Sequence, residues 1–143
     1  MALRSSVAEH DLTRTIEIHQ HRTRLRFPLR ATFRWRPDAP LDVEVTFHAR
    51  AGRSDVTWVL GRDLLARGVR TLTGEGDVRI QPTAGPGRAG QVLLRLGSRP
   101  PALFTLDRAE LRSWLEDTWE VVPAGTEAEC LDWEFFDGLL GDR

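Results

Sequence analysis

Apolar and polar side chains alternate one by one through much of the first half of the chain. The alternation is clearest from Leu41 to Ala49, where Leu41, Val43, Val45 and Phe47 are separated by polar side chains. Successive side chains of a β-strand point to opposite faces, so this pattern predicts a strand with one buried and one solvated face. A short glycine-containing segment, residues 51–54, then predicts a hairpin into the next strand.

Two alternating runs precede this strand, and arginine dominates their polar side. Between Thr13 and Phe27 the apolar positions change parity, which a bulge or turn near residues 20–23 reconciles. From Leu29 to Trp35 the alternation is regular and predicts a half-buried strand with an arginine-coated outer face. The arginines of this region, named here the arginine comb, are Arg22, Arg24, Arg26, Arg30, Arg34 and Arg36.

The stretch from Val56 to Pro82 predicts a strand, a short helix, a turn and a second strand. Val56, Trp58 and Leu60 share one parity, which suits a mostly buried strand. The helix of residues 62–67 follows, and Gly68 is expected to end it in the left-handed conformation.

The same stretch contains two closely spaced glycines, Gly74 and Gly76. They predict a tight β-turn rather than a phosphate-binding loop, because no third glycine opens a following helix and Asp77 would repel phosphate. Val78 and Ile80 then face one side of the second strand.

The second half of the chain predicts two more strands, over residues 91–96 and 102–106, and two helices. Asp107 and Glu110 have capping-box spacing and Leu106 can pack against Leu111, so a helix begins here. Its apolar face is expected to hold Leu111, Trp114, Leu115, Thr118 and Val122. A final helix is predicted over residues 130–140.

These elements add up to an α+β fold with about seven strands, a short central helix and two C-terminal helices. At 143 residues a single domain is expected. We place it over residues 13–143, after a flexible N-terminal extension of residues 1–12.

Charge is distributed unevenly, although the net charge is only -1. Residues 1–37 contain eight arginines and three acidic residues, a balance of +5, whereas residues 105–143 contain three arginines and eleven acidic residues, a balance of -8. The arginine comb and the acidic helix residues Glu116, Asp117 and Glu120 are therefore the predicted partner-binding surfaces. The alternative is that both are ordinary solvated faces.

No set of residues predicts catalysis or a metal site. His19 and His21 share a strand face without a third ligand at a diagnostic spacing, and we expect no candidate nucleophile beside His48. Cys130 is the only cysteine, so it forms no intramolecular disulfide, and its acidic neighbours disfavour a reactive thiolate. We expect a protein that is not an enzyme and binds no cofactor.

Two further partner classes can be weighed from the sequence. No apolar run approaches the ~20 residues that span a bilayer, and no secretory signal precedes the first strand, so we expect a cytoplasmic protein without membrane insertion. The arginine comb could clamp the phosphates of single-stranded nucleic acid, with Trp35 stacking on a base if exposed. Parity places Trp35 opposite the arginines, however, so a protein-interaction surface is favoured over nucleic acid.

The segment WVLGRDLLARG, followed by GEGDVRIQP, resembles the signature of the SsgA-like family of actinobacterial sporulation and cell-division proteins. The resemblance extends over about residues 13–140. The positions that carry the signature are Trp58, Arg62, Asp63, Leu64, Leu65, Gly68, Gly74, Gly76, Asp77, Val78 and Pro82. Trp35, Arg36, Ala39 and Gln81 depart from residues common in the family, on surfaces where partners are expected.

This resemblance implies a non-enzymatic role in sporulation-specific cell division. Family members help to position the tubulin-like division GTPase FtsZ at septa, and work with SsgA-type paralogues. The resemblance also implies a curved antiparallel sheet similar to that of Whirly-type proteins, assembly as a bell-shaped trimer, and a location at the division septum.

Overall fold

A computed structural model describes residues 11–50, 52–83 and 90–130. The strands are β1 (Leu12–Arg22), β2 (Leu25–Arg36), β3 (Ala39–His48), β4 (Val56–Gly61), β5 (Thr73–Glu75), β6 (Val78–Pro82), β7 (Gln91–Leu96) and β8 (Ala102–Asp107). Helix α1 spans Arg62–Gly68, helix α2 spans Arg108–Val121, and a 3-10 helix spans Glu127–Cys130. This is the α+β class that the sequence predicts.

All these strands belong to one antiparallel sheet in the order β4-β3-β2-β1-β8-β7-β6-β5. The first four strands form one meander and the last four another. The meanders are joined where β1 pairs with β8, with Ile18 opposite Leu106 and His21 opposite Leu103. The count of eight exceeds the predicted seven or so because the glycine segment adds the short strand β5. The end of the first alternating segment, residues 25–27, joins the following segment in β2.

The sheet curves strongly, so that its inner face forms a half-barrel. Phe47 of β3 stacks on Phe104 of β8 with ring centroids 4.4 Å apart, although β2 and β1 lie between these strands. The inner face carries the apolar core and is covered by α1 and α2. The outer face carries alternating polar residues such as Thr15, Thr32 and Thr46.

A turn between β1 and β2 causes the change of parity that the sequence shows between Thr13 and Phe27. β1 ends at Arg22 and β2 begins at Leu25, and Thr23 has a left-handed φ of 56°. From Leu25 onward β2 keeps one parity to Trp35, whose side chain is 0 % exposed. The turn predicted near residues 20–23 is thus confirmed at its C-terminal end.

β4 is less buried than its alternation predicts. Val56 is 53 % exposed and Val59 60 %, and within the described ranges β4 pairs only with β3. An edge strand has neighbours on one side alone, so the predicted mostly buried strand is wrong. Leu41 is also exposed, because the ladder between β2 and β3 is irregular beyond Trp35.

Helix α1 forms where predicted, but Gly68 has another role than the one expected. Gly68 is the last helical residue and has no left-handed φ. A Cβ atom on Gly68 would come within 2.9 Å of three carbon atoms of Ile80. The glycine is therefore required by the close packing of α1 on β6 and not by helix termination.

Helix α2 forms where its sequence signals predict a helix. The Asp107 carboxylate accepts a hydrogen bond from the Glu110 N–H at 3.0 Å, as an N-cap does. The five residues predicted for its apolar face are all buried: Leu111, Trp114, Leu115, Thr118 and Val122. The final helix predicted over residues 130–140 lies outside the described residues apart from Cys130.

Gly76 makes the predicted tight turn, with φ 58° between β5 and β6. None of the helices in the described part of the chain is long and apolar enough to cross a bilayer.

Candidate partner-binding surfaces

The arginine comb does not lie on a single face of the sheet. Arg26, Arg30 and Arg34 share the outer face, where Arg30 is opposite Glu17 and His48. Arg22 is opposite Leu25 on the inner side, and Arg24 lies in the turn between β1 and β2. The predicted six-residue surface is wrong in this respect, because the turn at Thr23 reverses the parity of the arginines that precede it.

Neighbouring carboxylates neutralise part of the comb. The Arg34 Nε atom donates to Asp11 Oδ2 at 2.8 Å, and Nη1 lies 3.6 Å from Glu44 Oε1. The Asp11 carboxylate raises the pKa of the Arg34 guanidinium. Arg36 lies 3.8 Å from Asp38. Within the described ranges Arg26 and Arg30 form no ion pair, so their positive charge is uncompensated on the part of the outer face formed by β2.

The predicted acidic residues lie on α2, on the other side of the sheet from Arg26 and Arg30. Asp117 accepts a hydrogen bond of 3.1 Å from Arg14, whose side chain shares the inner face with Phe33. Glu116 lies 3.6 Å from Arg112, one helical turn away. Glu120 is exposed and is in no ion pair within the described ranges. Two of the three predicted acidic residues are therefore paired with arginines, and Glu120 is the one left without an ion pair in the described part of the chain.

The signature residues fall into structural and exposed groups. Arg62, Leu64, Leu65, Gly68 and Val78 are buried, and Trp58 and Pro82 are half-buried. Asp63, Gly74, Gly76 and Asp77 are exposed.

Arg62 is a buried cation that links three elements. Its side chain is 1 % exposed, and its Nη2 atom donates to Glu127 Oε2 at 2.8 Å. Its Nη1 atom lies 3.3 Å from both the carbonyl oxygen and the hydroxyl of Thr118, and its guanidinium carbon lies 5.3 Å from the Trp35 ring. Arg62 thus ties the start of α1 to the last turn of α2 and to the 3-10 helix.

Glu127 is held as a carboxylate by this pair. Its side chain is 14 % exposed, and its Oε1 atom accepts from the Gly125 N–H at 2.8 Å. The Arg62 hydrogen bond lowers the pKa of Glu127 despite the opposing effect of burial. The sequence does not show that Arg62 and Glu127 form a pair, since only the fold brings together positions 65 residues apart.

His48 has a hydroxyl beside it, contrary to the sequence expectation. Its Nε2 atom lies 2.6 Å from Thr32 Oγ1, and its Nδ1 atom lies 3.1 Å from Asp55 Oδ2. The Thr32 hydroxyl also lies 2.8 Å from that of Thr15, so the group forms a polar ladder across three strands of the solvated outer face.

Asp55 connects this ladder to the hairpin between β3 and β4. Its Oδ1 atom accepts from the Ala49 N–H at 2.8 Å, and this hydrogen bond and the one to His48 lower the pKa of Asp55. These two hydrogen bonds hold the hairpin residues 52–55 against the end of β3.

His19 and His21 lie on the outer face, as predicted. His21 Nε2 lies 2.8 Å from Thr105 Oγ1. Among residues 11–50, 52–83 and 90–130, no three His, Cys, Asp or Glu side chains are grouped to hold a metal ion.

The buried position of Trp35 removes the stacking part of the nucleic-acid hypothesis. Its indole Nε1 donates to the Pro40 carbonyl at 2.9 Å in the core. In the described part of the chain, the outer face presents no Phe or Trp side chain.

A cavity of about 430 Å³ opens at one end of the inner face. We call it the inner groove; Phe27, Leu29, Phe47, Val56, Trp58, Leu96, Ala102 and Phe104 supply its apolar wall, and Gln20, Arg22, Arg50 and Arg53 are among its polar members. The guanidinium carbon of Arg50 lies 4.7 Å from the Phe27 ring centroid. The sequence did not reveal this groove, because exposed and core apolar positions have the same alternation.

Comparison with known proteins places this geometry in a family. Residues 29–127 match the family model described as Streptomyces sporulation and cell division protein, SsgA. Sporulation-specific cell division protein SsgB of Salinispora tropica is 44% identical over 107 residues, covering 73% of this chain and 74% of the relative. SsgB of Streptomyces coelicolor is 40% identical over 106 residues, covering 73% and 76%.

Two solved structures show the same architecture. An SsgA-like sporulation-specific cell division protein from Thermobifida fusca has a TM-score of 0.80 at 30% identity, covering 94% of this chain and 96% of its own. A structure reported with SsgB mutations that correlate with longitudinal cell division in sporulating Streptomyces coelicolor has a TM-score of 0.77 at 32% identity, covering 85% and 95%. The chain belongs to the SsgA family of sporulation and cell division proteins.

Proposed function

We propose that this protein is a non-enzymatic adaptor that helps to position FtsZ at sporulation septa, acting in the cytoplasm with an SsgA-type paralogue. The observation that carries the proposal is the match to relatives named sporulation-specific cell division proteins, which covers about three quarters of the chain. The exposed arginines Arg26 and Arg30, which form no ion pair within the described ranges, support a role in binding other proteins.

Arg26 and Arg30 are the residues that we assign to partner contact on the outer face. They are exposed, they lie on one strand, and no carboxylate in the described ranges neutralises them by an ion pair. Complementary charges steer encounter and fix orientation more than they add affinity. Contact through these arginines therefore accelerates association and weakens as salt concentration rises.

Co-sedimentation with FtsZ filaments tests this function. The wild-type chain is expected in the filament pellet, with a larger fraction at low than at moderate salt. Arg26→Glu/Arg30→Glu should reduce the pelleted fraction severalfold. Arg79→Glu/Arg95→Glu is the matched control, because it makes the same charge change on the outer face of β6 and β7.

Two results would contradict the assignment. Absence of the wild-type chain from the pellet at both salt concentrations would exclude FtsZ as a direct partner. Equal losses for the two double variants would attribute recruitment to net charge rather than to Arg26 and Arg30.

We also propose the Whirly-like trimer as the working assembly. The β5 end of the described sheet is an open edge, and Leu72, which immediately precedes β5, is an exposed apolar residue. Open edges and exposed apolar side chains favour association between chains. Sedimentation velocity should give a trimer mass, and a monomer mass at micromolar concentration would overturn the assembly without affecting the FtsZ proposal.

Location at the septum is tested in the sporulating host. A fluorescent fusion is expected in regularly spaced bands that coincide with FtsZ, and uniform cytoplasmic fluorescence throughout sporulation would exclude it.

A further inference from the structure

We propose that the inner groove and the adjoining edge of β4 form a docking site for an extended acidic peptide segment of a partner protein, with two large apolar side chains entering the groove. This inference deepens the proposed adaptor function by naming the chemistry of a segment that the adaptor binds. It rests on the shape of the groove, the charges around it and the open strand beside it.

The groove has the size and lining of a binding site. Its volume of about 430 Å³ lies within the range of ~300–1,000 Å³ that is usual for ligand pockets. The stacked rings of Phe47 and Phe104 belong to its wall, so large apolar side chains from a partner would meet aromatic surface. Burial of that surface would favour binding.

The rim of the groove is positively charged. Arg22, Arg50 and Arg53 all border it, and none of them forms an ion pair within the described ranges. The guanidinium carbon of Arg50 lies 4.7 Å from the Phe27 ring centroid, which places this cation beside the apolar wall of the groove. Acidic residues flanking the apolar ones would therefore be favoured, and basic residues disfavoured.

β4 supplies backbone groups for an extended segment. Val56 and Trp58 both line the groove and both lie on β4, which has no strand on its free side in the described part of the sheet. A peptide that pairs with this edge would present every second side chain to the groove. Two apolar residues separated by one residue are thus the required spacing.

A defined probe follows from these requirements: the fluorescein-labelled peptide Asp-Asp-Phe-Thr-Leu-Thr-Asp-Asp. Fluorescence anisotropy with the full chain should show saturable binding. Two control peptides, one with Lys at the four Asp positions and one with Ser in place of Phe and Leu, should each bind about tenfold more weakly or worse.

Variants locate the site. Arg50→Glu/Arg53→Glu should weaken binding of the acidic probe by at least about tenfold, and Ala102→Phe should abolish it by filling the groove. Arg79→Glu/Arg95→Glu makes the same charge change on the outer face of β6 and β7 and should leave affinity within about twofold. Amide chemical-shift changes on titration should concentrate in β4 and residues 52–55.

Three outcomes would overturn the proposal. The first is absence of saturable binding, or an equal loss in both arginine double variants. The second is a tenfold gain in probe affinity when Phe135 and Phe136 are changed to Ser. That gain would assign the groove to residues 131–143 of the same chain, because this segment resembles the probe in its acidic and aromatic composition. The third is a trimer or dimer mass that Val56→Asp reduces to a monomer, which would assign the edge to a second copy.

The test is independent of the FtsZ experiment. Probe binding without co-sedimentation would retain the docking site and remove FtsZ as the partner. Co-sedimentation without probe binding would retain the FtsZ proposal and remove the docking site.

Discussion

At the scale of single residues, the signature arginine Arg62 shows how a motif can be recognised without its role being understood. The sequence places Arg62 at the start of a helix, where an exposed side chain would be ordinary. The fold instead buries it against Trp35 and pairs it with Glu127. The pairing could not be predicted because it depends on where the chain beyond α2 returns to the sheet.

Replacing Arg62 by Met should lower the free energy of unfolding by about 3–5 kcal/mol, because Glu127 then keeps a largely buried charge without its partner. The double variant Arg62→Met/Glu127→Leu should be more stable than Arg62→Met, since it removes both charges. Urea denaturation measures both changes. Arg67→Met, which removes an exposed arginine 3.5 Å from Asp63, should change stability by only about 0.5 kcal/mol.

The same pair should make stability depend on pH. In the folded state the pKa of Glu127 is lower than its ordinary value of 4.5, so the unfolded chain binds more protons there. The stabilising contribution is therefore present above about pH 4.5 and is lost as pH falls through the folded pKa. Urea midpoints measured from about pH 3 to pH 7 should depend less on pH in Glu127→Gln.

The control for that experiment is Glu120→Gln, which changes an exposed carboxylate. It should keep the wild-type slope of stability against pH, and an unchanged slope in Glu127→Gln would contradict the assignment.

At the scale of elements, local sequence signals were sufficient to predict that the longer helices and strands exist and which type each one is. Alternation predicts each long strand, and the Asp107 cap predicts the start of α2, because these signals act between near neighbours in sequence. Edge position is a property of the whole sheet, so the exposure of Val56 and Val59 could not be read from β4 alone. The local sequence explained Gly68 as a residue that ends a helix. The fold instead requires a glycine there because of the close contact with Ile80.

Gly68→Ala should destabilise the protein by about 1–3 kcal/mol, because the added methyl group overlaps Ile80. Thermal or urea unfolding measures the change. Gly61→Ala at the other end of α1 is the control, since a Cβ there is no closer than 3.6 Å to Leu64. Combining Gly68→Ala with Ile80→Ala should cost less than the sum of the single changes, and simple additivity would argue against the overlap.

At the scale of the whole molecule, curvature creates the candidate site. Bending of the sheet brings β3 close to β8 across two intervening strands and leaves the inner groove at one end of the half-barrel. The sequence predicts a comb of six arginines where the fold divides them between faces. It also does not show that core residues such as Phe47 and Phe104 line a groove. Both features depend on tertiary geometry that a two-residue period does not encode.

The contact between Phe47 and Phe104 should couple the two meanders energetically. Phe47→Leu and Phe104→Leu should show a coupling energy of about 0.5–1.5 kcal/mol in a double-mutant cycle of urea unfolding. Leu41→Ala, at the other end of β3, should instead be additive with Phe47→Leu to within about 0.5 kcal/mol. Additivity in the first pair would contradict the closure of the half-barrel through these rings.

The pairing of β1 with β8 has a consequence for biosynthesis. Each meander can form from neighbours in sequence, but the pairing between the two meanders places Ile18 opposite Leu106. β1 therefore cannot pair with β8 until most of the chain has left the ribosome. Until then the strand that later meets β8 has a vacant side. Contacts this distant in sequence form slowly and leave apolar surface exposed meanwhile. The nascent chain is therefore most vulnerable to aggregation before β1 pairs with β8.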